Sequence, residues 1–241
     1  MEFQFLQISP SLPLFFFMFL FVYAFAYLVL LRNWGPKQRL EASSCFISLA
    51  HGSPVVIMAV IAILQAPNMA DFAAPNTKFQ ALVLEYSIAY FLLDLLHCIL
   101  FSPDDFVFIF HHLAVLYVFV TCNYLVHCGA VPILGLLVLA ELSSGCQNVW
   151  TLAGYKRAAK FQDLMAPYFF SFYSVLRVGL APMFVYKMGE FYVWSLGENL
   201  IPKWAWISWM GVIGMAIFGS MSWIGNHWVF WFRCRKYGKT L

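Results

Sequence analysis

The chain has 241 residues, of which 63% are hydrophobic and 10% are charged. A soluble domain carries about 25% charged residues and about 45–50% apolar ones, so this composition excludes an ordinary water-soluble domain and indicates an integral membrane protein. The formal net charge is only +3 and the basic residues do not form one block, so nucleic acid is not expected as a partner.

Seven apolar segments are long enough to cross a bilayer as helices, which takes about 20 residues. In chain order they cover residues 13–31, 46–64, 81–101, 106–126, 130–151, 165–187 and 205–232. Because their apolar character is continuous rather than alternating, the segments predict helices and not barrel strands. The connections are short, so we expect one all-α membrane domain with about seven transmembrane helices.

The first segment has two interpretations. Ala24-Phe25-Ala26 resembles the cleavage triplet of a signal peptide. However, a signal peptide begins with basic residues and has a short apolar core, whereas this segment follows Glu2 and stays apolar as far as Leu31. We therefore predict a retained helix.

Basic residues in the connections predict the orientation of the chain. Seven spans place ten basic residues on the side of the C-terminus and three on the opposite side. The ten are Arg32, Lys37, Arg39, Lys156, Arg157, Lys160, Arg233, Arg235, Lys236 and Lys239, and the three are Lys78, Lys187 and Lys203. Since cytosolic connections are enriched in Lys and Arg, we expect a cytosolic C-terminus and a lumenal or external N-terminus.

Seven titratable side chains stand inside or at the ends of the predicted spans, where such groups are costly to insert and mark functional sites. They are His51, Asp94, His97, His111, His112, Glu141 and His227. On the predicted orientation, six of the seven fall in the cytosolic leaflet or at its boundary. Asp94 and His97 are three residues apart and share a helix face. Together these groups could build a polar chamber that opens towards the cytosol.

Some of these residues also have a purely structural interpretation. His51 and His227 could be interfacial side chains that are hydrogen-bonded to headgroups. Arg177 in the sixth predicted span could pair with a carboxylate or extend to the membrane surface, and Glu141 could serve only to balance Arg177.

The adjacent pair His111-His112 is harder to interpret as structural, because neighbouring helix residues point about 100° apart and both cannot comfortably face lipid. Adjacent helix positions rarely aim at one ion, so we predict no metal site. The sequence allows a disulfide between Cys122 and Cys128 but does not require one, so we leave this question open.

Two groups of residues together are similar to one known family. The first is Asp94-x-x-His97, then Asp104-Asp105, then Phe110-His111-His112, and the second is Ala140-Glu141-Leu142-Ser143-Ser144 followed by Asn148. At this spacing they resemble the TLC-domain family of multi-span membrane proteins, which includes the ceramide synthases. The second group looks like the small branch of the transmembrane-protein-56 type. The resemblance implies an N-terminal helix over residues 1–35 and a TLC domain over residues 36–236.

The resemblance also implies a bundle of six helices around a central cavity, preceded by one extra helix. His111 and His112 match the histidine pair that serves acyl transfer from acyl-CoA to a sphingoid amine in ceramide synthases. At the downstream site those enzymes have His-Asp and a second Asp three residues on, whereas this chain has Ala140-Glu141 and then Ser144.

Two classes of function follow from these residues. The first is a lipid-homeostasis protein of the endoplasmic reticulum that binds a lipid or acyl chain and regulates membrane composition. Its cavity would be lined by His51, Asp94, His97, Arg177 and His227. The second is an acyltransferase with acyl-CoA as substrate, in which His111 or His112 is the base or acyl acceptor and Glu141 or Asp94 orients it. We expect membrane lipids as partners and no cofactor, and leave a membrane-protein partner or a homodimer open.

Overall fold

The computed structural model describes residues 9–155, 158–194 and 200–236. Within these residues the chain is helical and has no strand, although an isolated bridge pairs Pro75 with Cys128. The predicted all-α membrane protein is confirmed, since seven helical segments of the described chain are long and apolar enough to span a bilayer. The predicted sidedness rests partly on Lys156, Arg157, Lys239 and the two termini, which lie outside the described residues.

Eight α-helices and three π-helical segments build the seven spans of the described chain. The α-helices are α1 (Ser11–Phe25), α2 (Pro36–Leu64), α3 (Lys78–Phe101), α4 (Phe106–Val120), α5 (Ala130–Tyr155), α6 (Ala159–Tyr173), α7 (Ala181–Trp194) and α8 (Lys203–Lys236). The π-helical segments are Ala26–Leu30 after α1, Thr121–Val126 after α4, and Ser174–Leu180, which joins α6 and α7 into a single span.

Local sequence explains where several helices begin. Pro36 stands in the first turn of α2, where its missing N–H is not needed. Thr77 and Gln80 form a reciprocal capping box at the start of α3. The Asp105 carboxylate accepts a hydrogen bond from the backbone N–H of Phe108 and so caps α4.

The second span is longer than the apolar pattern predicted. It begins at Pro36 rather than near residue 46, because its first turns carry Lys37, Arg39 and Glu41, which an apolar window leaves out. These polar turns bring Ser44 into the same helix as His51, so the extra length matters for the site.

Helix α3 lies at the centre of the molecule. It packs against α1, α2 and α4, while α2 packs along α5. Most of the α3 span is buried, whereas only 11% of the apolar windows in the first and last spans is buried, so these two spans have the largest lipid-facing surfaces. The polar residues of α3 therefore meet side chains from several helices at once.

Candidate functional site

A buried acid and imidazole connect α3 to α4. The Nε2 atom of His112 lies 2.8 Å from Oδ2 of Asp94, and both side chains are almost completely buried. The other ring nitrogen, Nδ1, lies 2.7 Å from the backbone carbonyl of Phe108. Because a carbonyl can only accept, Nδ1 carries a proton, and a second proton lies between Nε2 and Asp94. Both nitrogens of His112 are thus engaged within the protein.

Asp94 joins a third helix to this pair. Ser44 of α2 donates its hydroxyl to Oδ1 at 2.6 Å, and Tyr90, one turn earlier on α3, donates to Oδ2 at 3.3 Å. One carboxylate therefore accepts hydrogen bonds from α2 and α3 and pairs with α4, which fixes the relative positions of three spans.

A second pair, His51 and Glu141, lies between α2 and α5. The His51 ring stacks on Tyr90 with a centroid separation of 4.1 Å. Ser87 donates its hydroxyl to the Val83 carbonyl, so Nε2 of His51 donates to the Ser87 oxygen at 3.1 Å. The opposite nitrogen, Nδ1, faces Oε2 of Glu141 at 3.8 Å, which is beyond a hydrogen bond. Both atoms are buried and have no hydrogen-bond partner among the described residues.

A glycine makes room for the Glu141 carboxylate. Gly52 follows His51 on α2, and a Cβ atom added there would lie 2.8 Å from Oε2 of Glu141. Close approach of α2 and α5 at this level therefore requires glycine at position 52 or a displaced carboxylate.

His97 and Asp94 share a helix but have different partners. The Nδ1 atom of His97 lies 3.1 Å from the Tyr23 hydroxyl of α1, and its ring contacts that of Phe101. The spacing of three residues predicts one shared helix face, but the two side chains meet different helices: His97 contacts α1 and Asp94 contacts α4.

His111 is the accessible member of the histidine pair. Its ring is partly exposed, packs edge-on against His112 with centroids 5.7 Å apart, and contacts Phe91. Among the described residues it makes no hydrogen bond. The two adjacent histidines therefore differ in availability: His112 is committed to Asp94 and the backbone, and His111 is not.

Arg177 lies in the π-helical segment between α6 and α7. Its Nε donates to Oγ of Ser143 at 3.2 Å, and Nη2 donates to the Ala140 carbonyl at 3.0 Å. The guanidinium also lies 5.5 Å from the Tyr173 ring centroid. Glu141 does not pair with Arg177 in the described contacts, because its side chain turns to His51 on α2.

His227 lies apart from these groups, in an aromatic cluster of α5, α6 and α8. Its Nδ1 donates to the Trp223 carbonyl at 2.9 Å, and its ring packs 3.9 Å from the ring of Trp223. Trp150 and Phe170 complete its surroundings. None of the other predicted site residues contacts His227 in the described structure.

Sequence reasoning missed a buried carboxylate, Glu85. It lies on α3 nine residues before Asp94, and it accepts hydrogen bonds from Ser11 of α1 and from Tyr124 at 3.2 Å. The signal was available, because the cost that singles out Asp94 applies equally to a carboxylate inside the third predicted span.

The structure leaves all six cysteines as free thiols. The Cys122 thiol donates to the Cys128 carbonyl at 3.4 Å, so the two residues are neighbours without a bond between their sulfurs. Cys128 lies in the connection before α5, where burial raises the pKa of its thiol and so disfavours the reactive thiolate.

Comparison with known proteins agrees with the predicted resemblance. The TRAM_LAG1_CLN8 family, described as the TLC domain, matches residues 41–229. The chain is 49% identical over 237 residues to the TLC domain-containing protein At5g14285 of Arabidopsis thaliana, covering 95% of this chain and 93% of that protein. No solved structure matches. The matched range holds both buried pairs, and the chain belongs to the TLC-domain family.

Proposed function

We propose that this protein binds a membrane lipid near the cytosolic ends of α3 and α4 and regulates membrane lipid composition without transferring an acyl group. The observation that carries the proposal is the closed Asp94–His112 pair, in which both ring nitrogens of His112 already have protein partners. Membership of the TLC-domain family, whose members are membrane and lipid-related, supports the lipid connection.

The closed pair argues against acyl transfer through His112. A general base or nucleophile needs a ring nitrogen whose lone pair faces the substrate, together with a group that orients the ring. His112 has the orienting carboxylate but no free nitrogen. His111 has unbonded nitrogens but no carboxylate partner within the described residues. Neither histidine combines a free ring nitrogen with an orienting carboxylate.

The surface around His111 suits a lipid that approaches from within the bilayer. Phe108, Phe110 and Leu113 on the same helix are exposed, and in a membrane span exposed apolar side chains contact lipid tails. A lipid lying on this face would keep its acyl chain against these residues. Its headgroup would reach the partly exposed imidazole.

An acyl-CoA-dependent acyltransferase is the second candidate, and His111 is the observation that favours it. Its ring nitrogens make no hydrogen bond in the described structure, and it lies beside the Asp94–His112 pair. In that case His111 would accept the substrate proton or the acyl group, and Asp94 would act only through His112.

Turnover and lipid content of the purified protein separate the two candidates. Protein in nanodiscs is incubated with radiolabelled palmitoyl-CoA and sphinganine, and lipids retained by the protein are identified by mass spectrometry. We expect a retained lipid and no labelled product. Product formed by the wild type and lost in His111→Ala would instead establish the enzyme.

The double variant His111→Ala/His112→Ala tests the site itself. It removes both imidazoles while leaving the apolar helix that drives insertion, so we expect normal insertion and loss of the retained lipid. His127→Asn, in the exposed connection after the fourth span, is the matched control, because asparagine also adopts the positive φ of this position. An unchanged lipid content in the double variant would contradict a lipid-binding role for the pair.

We also propose residence in the endoplasmic reticulum, with the C-terminus in the cytosol and the N-terminus in the lumen. The orientation is supported by the excess of Lys and Arg in the connections on the side of the C-terminus. The organelle is supported by the family resemblance alone.

A further inference from the structure

An exposed groove runs between α7 and α8, away from the buried acid–imidazole pairs. Two adjoining cavities of ≈ 530 Å³ and ≈ 360 Å³ form it, and Glu190 and Trp194 line both, so the groove is continuous. It lies near the connection between the sixth and seventh spans. Because three spans separate this connection from the one between α3 and α4, the two lie on opposite sides of the membrane. The groove is therefore distinct from the candidate site near His111.

The larger cavity is mostly apolar, and two glycines leave room for it. Gly189 of α7 and Gly214 of α8 line this cavity together with Pro182 and Ile217. A Cβ atom added at Gly214 would meet nothing within 4 Å, so the space beside it is open. Pro182 and Trp194, which mark the ends of the groove on α7, are about 18 Å apart along a helix. This distance is slightly more than half of a hydrocarbon core of about 30 Å, so the groove extends through one leaflet.

The smaller cavity combines an ion pair with aromatic rings. The Nζ atom of Lys187 donates to Oε2 of Glu190 at 2.8 Å, and both side chains are exposed. Of the described residues that line the two cavities, these two alone are charged. Phe72, Phe191 and Trp194 form most of the remaining wall. An exposed ion pair contributes little to stability, so folding does not explain two charges within a membrane span.

Two neighbouring charges of opposite sign complement a ligand that carries both signs. A purely anionic group would be attracted by Lys187 but repelled by Glu190. A phosphate beside Lys187 and an ammonium beside Glu190 would instead form a charge-assisted hydrogen bond with each side chain. The aromatic rings of the same cavity also suit an ammonium, because a cation is attracted to the face of such a ring.

We infer that this groove binds a zwitterionic phospholipid of the leaflet opposite to the His111 site. The headgroup lies in the smaller cavity, with its phosphate beside Lys187 and its ammonium beside Glu190. One acyl chain passes Trp194 and lies between α7 and α8, in the space that Gly189 and Gly214 leave open. This second lipid site goes beyond the proposed function and does not depend on it.

Photo-crosslinking tests the site in the purified full-length protein in detergent. The probe is a phosphatidylethanolamine with a diazirine in one acyl chain, and labelled peptides are identified by mass spectrometry. Dioleoyl phosphatidylethanolamine, dioleoyl phosphatidylglycerol and dioleoylglycerol compete with the probe, because they share their chains and differ only in polar group. We expect labelled peptides of α7 and α8. Phosphatidylethanolamine should compete about tenfold or more tighter than either other lipid, the gain typical of a hydrogen bond to a charged group.

Neutralising each charge should change the preference in a different direction. Glu190→Gln leaves the cation alone, so we expect phosphatidylglycerol to compete at least as well as phosphatidylethanolamine. Lys187→Gln leaves the carboxylate alone, so phosphatidylglycerol should compete even less than in the wild type. Lys78→Gln, at the start of α3, is the control, because Lys78 is predicted on the same membrane side and does not line the groove. A purely structural ion pair would not reverse a preference between two lipids.

A matched pair of glycine variants tests the position of the acyl chain. A Cβ atom added at Gly211 or at Gly214 meets nothing within 4 Å, so neither substitution forces a clash at Cβ. Gly214 lines the groove, whereas Gly211 does not. We expect Gly214→Leu to fill the groove and reduce labelling of α7 and α8 severalfold, and Gly211→Leu to leave it unchanged.

Several results would overturn this inference. Equal competition by phosphatidylethanolamine and phosphatidylglycerol overturns the zwitterionic ligand, and unchanged preferences in Glu190→Gln and Lys187→Gln overturn the role of the ion pair. Equal labelling of Gly214→Leu and Gly211→Leu overturns the position of the chain. A second copy crosslinked through α7 or α8, without a lipid adduct, assigns the groove to a dimer and also overturns it. Labelling confined to α4 overturns the second site and leaves the proposed site near His111 standing.

Discussion

Asp94 illustrates how much one side chain can determine inside a membrane. Its carboxylate is hydrogen-bonded to Ser44 of α2, Tyr90 of α3 and His112 of α4. Removing it therefore leaves three polar groups inside the protein without this partner. An exposed carboxylate such as Asp104, in the connection after α3, has no such role.

We therefore expect Asp94→Ala to destabilise the protein by about 3–5 kcal/mol, the cost of breaking a buried pair by removing one partner. Asp94→Asn should cost less, because an amide still accepts from Ser44 and can donate to a neutral His112. The measurement is thermal unfolding in detergent, with Asp104→Ala as the matched control, expected to stay within about 0.5 kcal/mol of wild type. Equal melting temperatures for Asp94→Ala and Asp104→Ala would show that the pair is not structural.

Gly52 offers a second test at this scale. Gly52→Ala places a methyl group 2.8 Å from Oε2 of Glu141, so either the carboxylate or the helix must move. We expect a lower melting temperature, restored in the double variant Gly52→Ala/Glu141→Ala. Gly145→Ala on α5 is the control, because its added methyl group meets nothing within 4 Å and alanine favours a helix interior by about 0.5–1 kcal/mol. Similar melting temperatures for the two glycine variants would contradict the close contact.

The individual roles of His111 and His112 could not be predicted from the sequence. Adjacent positions on a helix point in different directions, and only the packing of α4 on α3 decides which imidazole meets Asp94. The sequence did identify both histidines and Asp94 as intramembrane polar groups. Ser44 completes the network, but serine is too common in helices to stand out.

At the scale of elements, α1 is attached to the rest of the protein by polar bonds as well as apolar packing. Tyr23 contacts His97 near one end of the helix, and Ser11 donates to Glu85 near the other. The family match begins only at residue 41, so α1 lies outside the matched range while its partners on α3 lie inside it. Both hydrogen bonds join α1 to α3, so α3 holds the N-terminal helix in place.

Glu85→Ala should loosen this attachment. It removes the acceptor shared by Ser11 and Tyr124, so we expect faster hydrogen–deuterium exchange in peptides of α1 and in the π-helical segment after α4. Exchange in α8 should not change. Glu190→Ala, whose carboxylate is half-exposed beside Lys187, is the control. Unchanged protection of α1 in Glu85→Ala would mean that apolar packing alone holds the helix.

Element boundaries were predictable only where apolar character changes abruptly. The spans α3 and α4 begin close to their predicted positions, at Lys78 and Phe106. The start of α2 and both ends of the sixth span extend beyond the apolar pattern, because helices continue into polar turns at the membrane surface. The π-helical geometry around Arg177 depends on packing and has no signature in the sequence.

For the whole molecule, composition alone was sufficient for the fold class, because so few charged residues leave no alternative to a lipid environment. The packing order of the spans, with α3 at the centre, was not predictable, since continuous apolar segments do not reveal their neighbours. Orientation depends on basic residues and can be tested separately.

A tag fused to the C-terminus should be digested by protease added to sealed microsomes, because seven spans and the basic connections direct this end to the cytosol. A tag at the N-terminus should be protected until detergent is added. A lumenal marker protein controls for sealed membranes. Protection of the C-terminal tag would reverse the orientation and place His111 towards the lumen.

Two tryptophans of α8 are separated by a distance close to the thickness of a bilayer. Trp206 and Trp228 are 22 residues apart, or about 33 Å along a helix, close to the thickness of a hydrocarbon core of about 30 Å. Since tryptophan prefers the boundary between hydrocarbon and headgroups, we expect these two side chains to lie near the two surfaces of the bilayer. We then expect His227 at headgroup depth and the turns carrying Arg233 and Arg235 in water. Arg235 lies 3.7 Å from Asp163. A thinner membrane would force the helix to tilt, and the molecule is thereby sensitive to the thickness of the membrane that surrounds it.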